Sequence, residues 1–62
     1  MKKVYVYTII DDEGTLLFIH AYSNRKDAEW DMKNDIAMDG TTGVSCVRQY
    51  EINELVIDGV EA

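Results

Sequence analysis

The sequence has no proline, one cysteine (Cys46), one histidine (His20) and only six basic residues against twelve acidic ones. A lone cysteine excludes an internal disulfide, and with a single histidine beside it a zinc site of the usual Cys/His composition cannot be assembled. No apolar run approaches the roughly 18 residues that cross a bilayer, so no membrane insertion is expected. The opening Met1-Lys2-Lys3-Val4 leads straight into an alternating strand pattern rather than an apolar signal segment, and a cytoplasmic location is expected. The shortage of bases leaves a formal charge of −6 and a pI near 4.4. That field repels phosphate, which argues against direct nucleic acid or membrane-surface binding and for a protein partner with a basic surface.

What is present is a chain of 62 residues, 47% of them hydrophobic. A chain this short buries only roughly 60% of its unfolded surface, which predicts one domain over 1–62 with a thin core. A two-lobed enzyme or a cofactor-enclosing barrel does not fit in it. Residues 3 to 10 are β-branched and aromatic with no breaker, and Thr15 to Tyr22 repeats that character after Asp11-Asp12-Glu13-Gly14. This predicts a hairpin. A turn centred on Asp12-Glu13 sets Val4 opposite Ala21, Val6 opposite Ile19 and Thr8 opposite Leu17 on one face. The other face then carries Tyr5 opposite His20, Tyr7 opposite Phe18 and Ile9 opposite Leu16.

Ser23 or Asn24 can cap a helix, Arg25 to Met38 contains no Pro or Gly, and Gly40 follows as a stop signal. At 100° per residue Ala28, Met32 and Ile36 form the expected core stripe, and Trp30 falls about 160° from its centre, in water. Val44 to Ile52 alternates as a further strand. Leu55-Val56-Ile57 either continues it past a bulge or adds a short fourth strand, and Asp58-Gly59 ends it. The expected fold class is α+β, in β-β-α-β order: a three-stranded antiparallel sheet, first strand central, with one helix packed on one face. The aromatic face of Tyr5, Tyr7 and Phe18 is expected to stay open.

The Lys-Val-Tyr-Val-Tyr opening, the phrase Ala21-Tyr22-Ser23-Asn24-Arg25-Lys26-Asp27-Ala28-Glu29 and the closing Tyr50-Glu51-Ile52 resemble small β-β-α-β proteins of bacteriophage and prophage origin. The resemblance covers nearly the whole chain. Most such proteins have no assigned activity. Small acidic phage proteins include anti-CRISPR and other anti-defence inhibitors, some of which imitate nucleic acid, and the resemblance implies inhibition by binding in a host cytoplasm.

No catalytic residues, metal ligands or cofactor site are expected. His20 and Cys46 lack the partners of a hydrolytic site, and Cys46 reads as a small buried residue. Asp11, Asp12 and Glu13 lack the spacing of a calcium loop, and Gly40-Thr41-Thr42-Gly43 lacks the Lys of a phosphate loop. Three surfaces are candidates for binding. Trp30 would be an apolar anchor. The helix acids Asp27, Glu29, Asp31, Asp35 and Asp39 would complement a basic groove, although they spread over about 200° of the helix. Tyr5, Tyr7 and Phe18 would form an open patch. The expected function is a non-enzymatic protein-binding module acting by steric or charge-mimetic contact. The alternatives are a self-associating accessory domain, a homodimer through the aromatic face or an edge strand, and an antitoxin-like neutraliser.

Overall fold

A computed structural model describes residues 2–57. In chain order these form β1 (Lys2–Ile10), β2 (Leu16–Tyr22), α1 (Arg25–Thr42), a single 3-10 turn (Ser45–Val47) and β3 (Gln49–Ile57). The strands make one antiparallel sheet in the order β2-β1-β3, with the helix against one face. The fold is thus α+β, with β1 central.

The hairpin turns on Asp11. Its Oδ1 accepts the backbone N–H groups of Glu13 (2.9 Å) and Thr15 (2.8 Å), and its own N–H reaches the Thr15 carbonyl at 3.0 Å. Gly14, at φ 85°, supplies the left-handed residue that a three-residue loop needs. The loop is one residue longer than a turn on Asp12-Glu13 alone, and a bulge between Ile9 and Ile10 shifts the register by one more. Val6 therefore faces Ala21, Thr8 faces Ile19, Tyr7 faces His20 and Ile9 faces Phe18. Two single-residue shifts cancel in the alternation of side chains, so the division into an aromatic and an aliphatic face persists. Leu16 alone changes sides, pairing with Ile10 in place of Ile9.

Asn24 caps α1: its Oδ1 accepts the Asp27 N–H at 3.0 Å and its Nδ2 donates to the Asp27 carboxylate at 2.9 Å. The helix runs past Met38 and through Gly40 to Thr42. It closes at Gly43 (φ 80°), whose N–H meets the Gly40 carbonyl while Val44 N–H meets that of Asp39. Gly40 does not stop the helix because a glycine does so only where the left-handed backbone is used. After the 3-10 turn, which replaces the first part of the strand expected from Val44, β3 runs unbroken from Gln49 to Ile57. Its register on β1 is continuous, so Leu55-Val56-Ile57 extends β3 and forms no fourth strand. Asp58-Gly59 lie outside the described residues.

The helix covers the aromatic face, not the aliphatic one. Tyr7 and Ala28 are fully buried and Ile9 is 6% exposed, with Tyr5, Tyr22, Met32, Tyr50 and Ile52 packed around them. The open patch expected at Tyr5, Tyr7 and Phe18 is therefore largely the helix-packing surface. The reason lies on the helix. Ile36 is 39% exposed, and its place on the sheet side is taken by acids whose carboxylates meet tyrosine hydroxyls. The aliphatic face carries no tyrosine hydroxyl to meet those carboxylates, and burying them unpaired is costly.

Candidate functional site

Asp31, Asp35 and Asp39 follow one another at intervals of four, which keeps them on one side of a helix. Each accepts a hydrogen bond from a tyrosine of a different strand: Tyr22 of β2 to Asp31, Tyr7 of β1 to Asp35 at 2.7 Å, and Tyr50 of β3 to Asp39. Arg48 adds an ion pair to Asp39 at 3.0 Å. Burial, reinforced by the Asp31 carboxylate, pushes the Tyr22 hydroxyl up to about 12. Burial and Asp35 raise Tyr7 further still, and burial and Asp39 raise Tyr50. The hydrogen bond from Tyr50, then Arg48, holds Asp39 below the usual carboxylate range. At neutral pH all three phenols stay protonated as donors, so the row clamps helix to sheet.

This arrangement separates the expected binding acids. Asp31 and Asp35 point at the sheet and Asp27 is engaged in the helix cap. Glu29 is exposed but paired with Arg25 at 3.1 Å. The acids therefore do not form one outward carboxylate surface. Tyr7 is core, Tyr5 is packed against it, and Phe18 is 39% exposed at the sheet margin, its ring 5.4 Å from that of Tyr7.

Trp30 stands apart. It is 66% exposed on the side of α1 away from the sheet. Lys26 at i−4 and Lys33 at i+3 are its neighbours on the helix surface, and with Glu29 and Met32 they line an open groove of about 350 Å³. The groove joins an indole, a thioether and two lysine stems, an apolar floor with a charged rim. Met32 was legible only as core, at the centre of the expected stripe; because the helix turns Ala28, Asp31, Asp35 and Asp39 to the sheet, Met32 lies at the edge of the packed face and serves both sides.

The reactive side chains are dispersed. Cys46 is exposed rather than buried, its Sγ 3.1 Å from the Gly43 carbonyl, because the 3-10 turn lifts it off the sheet. His20 is exposed and stacks in a row between Phe18 and Tyr22. Among the described residues no three His, Cys, Asp or Glu side chains gather as metal ligands, and no helix is long and apolar enough to cross a membrane. Compared with known proteins, the chain matches no family model, no curated protein and no solved structure.

Proposed function

We infer that the chain is a non-enzymatic protein-binding module that blocks a partner sterically through the outward face of α1, with Trp30 as the anchor. The observation that carries this is the 66% exposure of the one tryptophan, in the second turn of an 18-residue helix whose opposite side is pinned by three tyrosines. A rigid support and a projecting indole are the ingredients of an interface anchor. The net charge of −6 favours a partner with a basic surface, approached through the acids of the hairpin tip, Asp12 and Glu13, and the rim of the helix. The likeness of the Ala21 to Glu29 phrase to phage proteins supports a nucleic-acid-binding or defence protein of a host cytoplasm as that partner, inhibited in the anti-CRISPR manner. Charge mimicry has the weaker support, since Asp31, Asp35 and Asp39 are turned inward.

The test is affinity capture from a bacterial lysate at low and high salt, read by mass spectrometry, with Trp30→Ala beside the wild type. The expected result is a nucleic-acid-binding or defence protein retained by the wild type and weakened by about 2 kcal/mol or more in the variant. Unfolding stability should change by less than about 0.5 kcal/mol, as for an exposed position. A bound set unchanged by Trp30→Ala overturns the reading.

A further inference from the structure

The sheet face turned away from the helix is a second unpartnered surface, independent of Trp30. Register places Val4 beside Leu55, Val6 beside Ala21 and Thr8 beside Ile19 on it. Ile19 is 58% exposed, Leu55 51% and Leu17 45%. They form an apolar band running from the hairpin end of β2, across the valines of β1, to the end of β3.

We propose that this face is the interface between two copies of the chain, packed sheet against sheet. Area is the first reason. The exposed parts of Ile19, Leu55, Leu17 and Leu16, the last 51% exposed beside Ile10, come with the half-buried valines to roughly 500 Å² of apolar surface, at the top of what a monomer usually leaves in one patch. Two such faces together remove about 1,000 Å², and the polar rim brings the total near the roughly 1,200 Å² at which specific interfaces begin. Charge is the second reason. By the alternation of the strands, Lys2 of β1 and Glu51 of β3 are the only charged side chains among the described residues on this face, one of each sign. The helix acids lie on the other side, and the hairpin acids lie at the end of the sheet. Two copies thus meet through faces of no net charge while the acids stay outside, although the chain as a whole carries −6. A strongly basic partner finds no complement on this surface. Shape is the third. Both faces are built from alternating strand side chains, and sheets carrying such faces stack about 10 Å apart.

Sedimentation equilibrium of the purified chain, from about 10 μM to about 1 mM, tests this directly. The expected mass at the upper end is twice the 7.1 kDa of the chain, and it should persist in about 1 M salt, where charge contacts are screened and apolar ones are not. Ile19→Lys and Leu55→Lys, both at exposed positions, should each weaken association at least tenfold with an unchanged far-UV circular dichroism spectrum, and Trp30→Ala should leave it intact. A wild type that is monomeric at about 1 mM overturns the proposal whether or not the variants fold. So does a dimer indifferent to both lysines, which would point to edge-strand pairing, or one abolished by Trp30→Ala, which would place the contact on the helix.

Discussion

The clamp between helix and sheet can be tested at its centre, Tyr7. Its side chain is fully buried and its hydroxyl donates to Asp35 at 2.7 Å. Tyr7→Phe keeps the ring and removes that bond. Hydrogen bonds to charged groups contribute about 1.5–3 kcal/mol, and the half-buried Asp35 regains some water, so a loss of about 1–2 kcal/mol is expected. At roughly 0.05–0.15 kcal/mol per residue the whole domain is stable by only about 3–9 kcal/mol, so the loss is a large fraction. In a domain of this size it lowers Tm by about 6–12 °C. Asp35→Ala leaves the buried hydroxyl without its acceptor and should cost about 1–3 kcal/mol. Because both changes break one bond, the double variant should lose less than the sum, with a coupling of about 1 kcal/mol. Urea unfolding followed by far-UV circular dichroism measures all four proteins. Trp30 fluorescence is a poor reporter, since the indole is already in water. Tyr7→Phe within about 0.5 kcal/mol of the wild type, or a coupling near zero, would refute the clamp.

Glycine substitutions and pH supply the remaining tests. Gly40→Ala should stabilise by about 0.5–1 kcal/mol, since the new Cβ would come no closer than 3.8 Å to Ser45 Oγ. Gly43→Ala should destabilise by about 1–2 kcal/mol because alanine resists φ 80°. Tyr22 titrates near 10 unfolded and about 12 folded, so its contribution is complete below pH 10 and lost as the pH rises through about 12. Alkaline unfolding should accordingly coincide with the tyrosinate absorbance change, and Tyr22→Phe should shift the midpoint. Asp39 runs the other way: held below its ordinary 3.8, it contributes above that pH and ceases to as the pH falls through its lower folded value. Asp39→Asn should flatten the acid limb of stability against pH.

Much of the architecture was legible from local chemistry. The β-branched run of β1, the cap at Asn24 and the hairpin acids each specify their own element within a few residues, and the strand order follows from the hairpin and a single crossover. The two faces of the hairpin were legible too, because alternation survives the longer loop and the bulge together. Trp30 was marked by the wheel alone. Less legible was the helix end, since Gly40 and Gly43 are equally permissive and only the closing bonds to Asp39 and Gly40 choose between them. The 3-10 turn at Ser45–Val47 was hidden for a similar reason, as Val44, Cys46 and Val47 suit a strand as well as a turn.

By itself, then, the sequence determined which segments form strands and helix and, Leu16 apart, which hairpin side chains share a face, because those depend on period and on contacts between near neighbours. Which face the helix covers was decided only in the tertiary structure. An apolar count favours neither side, and the choice rests on three carboxylates finding three hydroxyls from three different strands. On the helical wheel Asp35 and Asp39 each lie within about 20° of Ala28, Asp39 inside the stripe that the apolar residues mark out and Asp35 just beyond its Ala28 edge. Their hydrogen-bond partners are distant in the chain, and only the assembled sheet brings the tyrosines beneath them. The same choice leaves Leu17, Ile19 and Leu55 facing outward, on the side of the sheet that the helix does not cover.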